Sequence, residues 1–425
     1  MMQNIIALRI FKSFLAIACI VLPFFAKSQT KILKAGAATV NITPSAPVPM
    51  SGYAARGTPS TGVHDEIFAR AFVFDDGKKK ACLIQADLIG FSFEFADQIA
   101  VEVEKKTGIP KDNCFLVAVH NHGAPSTRVY GETETDNLTA YLSDLQKKLV
   151  NVVIDAHNKS VPASLGIGKG RCTMNINRRA SQGNGDIWLG RNPDGPCDHD
   201  VDVVRVSDAR NGAIGLLINW PCHAVVGGQE NSLITSDWPG ATVRYLQKNF
   251  NAGIPMAITA GASGDINPIY GPGNNFGDME SIGLLLGDEI IRVVKDIDGK
   301  QGGTVTVLRR EVEVPGKEKF ETRMPGEKVV PGASVKLRFS VLKVGPVVFA
   351  GISGELMTTI GMKIKELSPF RNTTIVTHCN GSSGYLCTDE AYRQGGYEPM
   401  VSRTAPGVEK IIEDNLLAML NEMSE

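Results

Sequence analysis

The sequence carries no excess of charge of either sign: 44 lysines and arginines against 45 aspartates and glutamates leave a formal net charge of −1. A chain so balanced has no global pull towards nucleic acid or an anionic membrane surface, and no nucleic-acid partner is expected. Runs of like charge are missing too. The longest basic cluster, Lys78-Lys79-Lys80 after Asp75-Asp76-Gly77, reads as a solvated hairpin turn. There is no CxxC pair, which excludes a structural zinc ribbon. Internal repeats and low-complexity linkers are lacking, and beyond residue 28 no segment is apolar enough for a transmembrane helix. What is there is an ordinary globular composition, 43% hydrophobic and 21% charged, which excludes disordered and fibrous classes. At 425 residues the chain can build one large domain or two ordinary ones.

The N-terminus is the exception to the missing apolar run. Arg9 and Lys12 precede an apolar stretch from Phe14 to Phe25, followed by Ala26-Lys27-Ser28 before Gln29. A positive n-region, an h-region too short to span a bilayer and a small-x-small cleavage signal read as a signal peptide over residues 1–28. Cys19 after Ala16-Ile17-Ala18 makes only a weak lipobox. The mature chain, 29–425, is expected to be soluble and exported, either secreted or periplasmic. Export permits disulfides. Of the eight cysteines seven follow the signal, an odd number that leaves at least one thiol free. Cys82 and Cys114 stand in apolar strand-like runs and read as buried thiols, whereas Cys172–Cys197 and Cys379–Cys387 are plausible local pairs.

From Gln29 on, strand and helix patterns alternate. Residues 69–74 and 80–89 read as strands about the Asp-Asp-Gly turn, and a helix over 94–107 stops at Gly108 and Pro110. An apolar run over 113–120 leads into His120-Asn121-His122-Gly123-Ala124-Pro125. A long amphipathic helix spans 137–158. Two strands over 200–220, joined at Asn211-Gly212, end at Pro221-Cys222-His223. A helix opens near Pro239, and a strand over 254–259 leads into the polar loop 261–268. A helix over 279–297 and a strand-rich stretch over 303–350 follow, the latter running into Gly354-Glu355. Helices over 356–367 and 408–423 flank a last strand, 373–377. The fold class expected is α/β: a mixed β-sheet core flanked by helices in one large domain. Its polar loops follow apolar strands, where such folds place their sites.

Three of those strand ends deliver a metal-type ligand. His120-x-His122 on an extended segment would point both imidazoles to one side. His223 follows a strand and a proline, and Glu355 precedes a helix start. Two histidines and a carboxylate make a standard catalytic zinc set with positions left for water and substrate. Taken singly each has a bland reading: loop histidines, a hydrogen-bonded core histidine, and a glutamate favoured by a helix dipole.

In order along the chain, the motifs resemble the N-terminal catalytic domain of the neutral (non-lysosomal, neutral/alkaline) ceramidase family, from about Ala35 to beyond Tyr397. The resemblance rests on Gly52-Tyr53, Ala69-Arg70-Ala71-Phe72, His120-x-His122-x-x-Pro125 and Asn175-Ile176-Asn177-Arg178. It continues through His223 with Ser236-Asp237, Ser263-Gly264-Asp265-x-x-Pro268 and Gly354-Glu355 with Thr358-Thr359. It closes on Gly384-Tyr385-x-x-Thr388-x-Glu390-x-Tyr392 and Tyr397-Glu398. The resemblance implies zinc held by His120, His223, Glu355 and the phenol of Tyr385, whose pKa the metal would lower. It implies an amidohydrolase acting on a small N-acyl substrate, with a ceramide-like lipid as the default. It places His122 and Arg178 beside the metal, His122 to pass a proton to the leaving amine or to hydrogen-bond the tetrahedral intermediate, and Arg178 to hold developing negative charge. For the base that shuttles the proton, His122 is the first choice and Asp265 the second.

Two departures accompany the resemblance. The family's Gly-Asp-x-Ser-Pro-Asn element carries a serine proposed to act in catalysis; here that position is Asn267, and the next asparagine is Ile269. Asparagine cannot be an alkoxide nucleophile, but it can donate a hydrogen bond to an oxyanion. The second is length: the additional β-sandwich domain of the family is expected to be absent. Two alternatives stand beside the first reading, a hydrolase of other acyl or acetyl groups on sugars or peptides, and a non-catalytic relative that binds a metal or ligand. Chelator-sensitive hydrolysis separates enzyme from binder, and a hydrophobic tunnel separates lipid from polar substrates.

Overall fold

Ala71–Phe74 and Ala81–Ile84 are apolar without alternation, the pattern of strands buried on both faces. In the computed structural model they lie inside a nine-stranded sheet. The structure describes residues 32–128, 135–183, 185–273, 275–320 and 328–425; the signal-peptide segment 1–28, with Cys19, lies outside the described residues. The sheet runs in the order Met256–Ala260, Ala213–Trp220, Asp200–Asp208, Val161–Arg171, Lys34–Asn41, Phe68–Asp75, Lys80–Ala86, Cys114–Ala118, with Lys300–Gln301 added beside Val161–Arg171. Pairing is antiparallel through the middle and parallel only at the two ends. Each parallel pair needs a crossover, and each has a helix for it: Phe93–Thr107 at one end and Asp237–Asn249 at the other.

The sheet curls until its two edge strands, Met256–Ala260 and Cys114–Ala118, approach within 8 Å between Cα atoms. The segment 377–380 closes the seam. Thr377 N–H donates to Ala260 O at 3.1 Å, and Asn380 N–H donates to Leu116 O at 2.8 Å.

A second sheet, Val305–Phe320, Val329–Val344, Val347–Ile352 and Thr373–Val376, stacks on the first. Phe72, Phe74, Leu83 and Phe115 of the large sheet interlock with Leu342, Val347 and Phe349 of the small one. The outer face of the large sheet is covered by Phe93–Thr107 with Asp136–Asn158, and by Asp237–Asn249 with Phe276–Lys295. The outer face of the small sheet is covered by Thr358–Leu367 and Val408–Ser424. The α/β expectation therefore holds, as a helix–sheet–sheet–helix stack in which residues 303–350 supply most of the second sheet. Among the described residues no helix is long and apolar enough to cross a membrane.

The cysteine pairing needs correction. All seven cysteines that follow the signal segment are free thiols. Cys379 lies in the core between the sheets and Cys387 in the core beneath the second sheet. Cys172 lies under the helices that cover the large sheet, whereas Cys197 is partly exposed with its sulfur 3.7 Å from His199 Nδ1. Cys82 and Cys114 are buried, facing each other on neighbouring parallel strands.

Candidate metal centre

Strand ends from the two halves of the curled sheet are brought together by one short pairing. Beyond Cys114–Ala118 and Ala213–Trp220, Asn121 and Ala224 form a parallel bridge, and His122 N–H donates to Ala224 O at 3.0 Å. The bridge sets His120 and His122 against His223. The extended geometry expected for the HxH pair is not what achieves this, because His120 has a left-handed backbone with φ 64°. The turn still delivers the rings to one place, with the Nε2 atoms of His120 and His122 at 3.2 Å. The ring nitrogens of His120, His122 and His223 lie within 4.8 Å of one another and could hold a metal ion.

Glu355 arrives from the second sheet. Val347–Ile352 runs on through Gly354 into Glu355–Leu356, which pairs in parallel with Tyr385–Leu386, placing Glu355 opposite Tyr385. Its Oε2 stands 3.3 Å from Nε2 of His120 and 3.3 Å from Nε2 of His223. The far side of each imidazole faces a backbone carbonyl: His120 Nδ1 lies 2.8 Å from Ile89 O and His223 Nδ1 lies 3.1 Å from Ile266 O. A carbonyl can only accept, so each Nδ1 carries the proton and each Nε2 turns a lone pair inward.

Burial, followed by the positive charge of Arg178, pushes the His223 imidazole down to about 4, so it is neutral at neutral pH. Burial raises Glu355, and it is positive charge and hydrogen bonding from the His120 and His223 imidazoles that would hold its carboxyl well below the usual carboxylate range. With those rings neutral that support is gone: Oε2, buried without a hydrogen bond, faces two nitrogen lone pairs. Such a cluster of Lewis bases is complete only with a cation between them. On this test the residues fit a metal.

The Arg178 guanidinium, buried beneath the cluster, has all of its nitrogens engaged. Nε donates to Glu398 Oε1 at 2.7 Å, and Nη2 donates to Gly264 O at 2.8 Å and to the Tyr385 hydroxyl at 3.0 Å. Nη1 donates to Asn267 Oδ1 at 3.2 Å and lies 3.3 Å from His223 Nε2. Arg178 therefore joins three expected site residues, His223, Asn267 and Tyr385. Burial and the Glu355 charge push the Tyr385 phenol well above its ordinary value, against the lowering pull of Arg178. Asp265 belongs to the frame instead. Its Oδ1 accepts from Thr358 N–H at 2.8 Å at the start of the helix Thr358–Leu367, and its Oδ2 accepts from Asn177 Nδ2 at 3.1 Å. Burial pushes its carboxyl up to about 6.

Gly52, Tyr53 and Glu398 stand in the motifs that carry the resemblance without a role assigned to them, and His378 stands in none. Glu398, 1% exposed, binds both Arg178 and Arg179. Tyr53 meets the His122 ring edge-on at 5.1 Å between centroids. Gly52 permits that approach: with φ 101°, a Cβ there would stand 2.5 Å from His122 Cγ. His378 stacks on His120 with centroids 4.0 Å apart and planes 12° apart. A cavity of about 520 Å³ opens on His120, Glu355 and His378, walled by Pro49, Met50 and Tyr53.

The stack makes His378 a positioning residue for the His120 ring. His378→Ala is expected to weaken metal affinity about tenfold, as loss of a supporting contact does, while His378→Phe, which keeps a flat ring, stays close to wild type. Competition against a chromogenic chelator measures both; equal affinities for the alanine variant and the wild type would rule the role out.

Comparison with known proteins identifies the family. The profile of the family described as "Neutral/alkaline non-lysosomal ceramidase, N-terminal" matches residues 33–269, over half of the chain. Neutral ceramidase of Drosophila melanogaster is 25% identical over 286 residues, covering 62% of this chain and 39% of that protein. Neutral ceramidase of Pseudomonas aeruginosa is 26% identical over 268 residues, covering 56% of this chain and 38% of that one. The chain thus spans under two fifths of the length of these relatives. The crystal structure of the Pseudomonas aeruginosa neutral ceramidase shares the fold, with a TM-score of 0.78 at 17% identity over 92% of this chain and 74% of that one. The matched segment 33–269 holds His120, His122, Arg178, His223, Asp265 and Asn267, while Glu355 and Tyr385 lie beyond it. The chain belongs to the neutral/alkaline non-lysosomal ceramidase family.

Proposed function

We propose that the chain is an exported zinc-dependent amidohydrolase that cleaves an N-acyl amide, with a ceramide-like lipid as substrate, yielding a sphingoid base and a fatty acid. The observation that carries this reading is the Glu355 carboxylate set 3.3 Å from the inward nitrogens of His120 and His223 with no proton donor to satisfy it. Family membership supplies the substrate class. His120, His223 and Glu355 would hold the ion, with the Tyr385 phenol as fourth ligand. Zinc bound there supplies Lewis-acid polarisation of the scissile carbonyl and acidification of a water molecule.

The chain's own groups do the rest. Burial and the neighbouring imidazoles hold His122 well below its ordinary value, so it is a neutral base at neutral pH, and its Nδ1 is buried without a partner. It takes the proton of the attacking water. As the carbon–nitrogen bond breaks, it returns that proton to the departing amine. Asn267 has its Oδ1 committed to Arg178, which leaves its amide NH2 to donate to negative charge growing on the carbonyl oxygen. Arg178 acts through Tyr385 and His223, which it orients. Asp265, with both oxygens engaged, is the weaker base candidate.

A second reading, hydrolysis of shorter acyl groups, is favoured by Ser51, Ser126 and Thr127 in the cavity wall. Release of fatty acid from long- and short-chain N-acyl sphingosine, before and after chelation and zinc restoration, tests both. Chelator-sensitive cleavage is the expected result; cleavage indifferent to the chelator, or no cleavage by zinc-loaded protein, would refute the proposal.

The low His223 value gives a signed pH dependence. Between pH 6.5 and about 4 the unfolded chain binds a proton that folded His223 refuses, so this contribution to stability falls as pH falls through that window. Asp237 and Asp265, each pushed up to about 6 by burial, work in the opposite direction. Comparison with His223→Gln isolates the histidine. From pH 7 to pH 4.5 the metal-free wild type should lose about 2 kcal/mol more than the variant. Chemical denaturation at the two pH values measures the difference, and equal losses would contradict it.

A further inference from the structure

Lys317 breaks the alternation of its strand. In Val305–Phe320 the register shifts between Val314 and Gly316 and again between Lys317 and Lys319, and the consecutive residues Gly316 and Lys317 are both buried. The bulge turns Lys317 inward until only 5% of it is exposed. A buried ammonium is ordinarily paired with a carboxylate. Lys317 is not: among the described residues its Nζ donates to Met400 O at 3.2 Å, lies 5.0 Å from the centroid of the Phe320 ring, and forms no ion pair.

Across a cleft of about 350 Å³, Lys336 Nζ stands 4.4 Å over the Phe93 ring, again without an ion pair among the described residues. Glu94 feels the charge of Lys336 but does not bond to it. Arg403 and Ser334 complete the wall, so among the described residues the lining holds three cations and no carboxylate.

We propose that this cleft binds an oxyanion, a phosphate or sulfate group, either free or as the head group of a lipid. Two ammonium groups offer it charge-assisted hydrogen bonds in a partly desolvated place, and the Arg403 guanidinium adds its positive charge. The site is separate from the metal centre yet joined to it. The Arg403 guanidinium donates to Ser382 O at 2.8 Å, and Ser383 Oγ donates to the backbone carbonyl of Lys336 at 2.8 Å, so the segments that carry both cations hold the turn that leads into Tyr385. An anion drawing them together tightens that turn. This last consequence rests on Tyr385 as a ligand; the anion site itself does not.

Calorimetric titration of the full chain with inorganic phosphate, against chloride at equal ionic strength, tests the proposal. Phosphate should bind, His120→Ala should bind it equally well, and Lys336→Gln should weaken it about tenfold while metal content stays unchanged. Lys336 is less buried than Lys317, so its variant is the one to rely on if Lys317→Gln fails to fold. Phosphatidylcholine vesicles with and without phosphatidic acid separate the sources. Recruitment by phosphatidic acid that Lys336→Gln weakens assigns the head group; phosphate binding without recruitment assigns a free anion. Phosphate bound no better than chloride, or bound unchanged by Lys336→Gln, or lost in His120→Ala, overturns it.

Discussion

Glu355→Gln protein is expected to lose bound metal and hydrolysis together, yet its metal-free form should be more stable than metal-free wild type. The two halves come from one geometry. Without a cation, the wild-type carboxylate sets a buried, unsatisfied oxygen 3.3 Å from two nitrogens that also present lone pairs. Glutamine has the same shape, carries no charge, and turns an N–H towards an acceptor, so it replaces a repulsion by a hydrogen bond worth about 1–3 kcal/mol. With metal present the sign should reverse, because the variant lacks the carboxylate proposed to hold the ion, and the ion stabilises only the state that binds it. Thermal unfolding with chelator and with zinc, alongside metal content, measures both. A metal-free Glu355→Gln protein less stable than metal-free wild type would mean that the carboxylate is satisfied by something other than a cation.

Arg178→Ala should be the most damaging substitution outside the ligands themselves. It removes the donors that hold Glu398, Gly264 O, Tyr385 and Asn267, and leaves Glu398 buried with Arg179 as its remaining cation. Breaking a buried, hydrogen-bonded ion pair of this kind costs about 3–5 kcal/mol. On the proposed ligand set, Tyr385 freed from its donor would no longer be held towards the metal, and affinity for the ion should fall by about 10–100-fold. Arg178→Lys should rescue little, since a point donor cannot reach Glu398 and Tyr385 together as the planar fork does. Denaturation curves, metal competition and turnover of the variant zinc-loaded at saturation check the three parts. Full metal affinity in a merely destabilised Arg178→Ala protein would confine the residue to a structural role.

What the sequence reveals about this molecule depends on how local the cause is. His120, His223 and Glu355 are legible because each closes an apolar strand run and opens a polar loop, a signal contained within a few residues. The helices Phe93–Thr107 and Asp136–Asn158 are legible for the same reason, with capping side chains at Ser92 and Thr135. Val161–Arg171 is hidden because Gly166, Gly168 and Gly170 weaken its strand pattern. Those glycines exist for a distant partner: a Cβ at each would stand within 2.6 Å of Ile297, Val293 or Glu289. Lys34–Asn41, rich in alanine, is masked by the same demand for small residues, with Gly36 lying against Ala156 O.

The site shows the same division. His378 sits in a stretch with no periodicity, and only the closing of the sheet's seam by 377–380 sets it on His120. Glu398 opens a five-residue helix, and its partners Arg178 and Arg179 lie some 220 residues upstream. The expected cysteine pairs failed because closeness in sequence does not carry across the layers: eight positions separate Cys379 from Cys387, and they enter different cores. The length of the second sheet was readable as strand, but its stacking on the first depends on which faces are apolar on both, a property of the pair.

The account stands on one ion shared by groups from two sheets. Anomalous diffraction at the zinc edge from crystals of the zinc-loaded protein reads it directly. A single peak is predicted about 2.0–2.2 Å from Nε2 of His120, Nε2 of His223 and a carboxylate oxygen of Glu355. A peak at another place, or none in protein that hydrolyses its substrate, would contradict it.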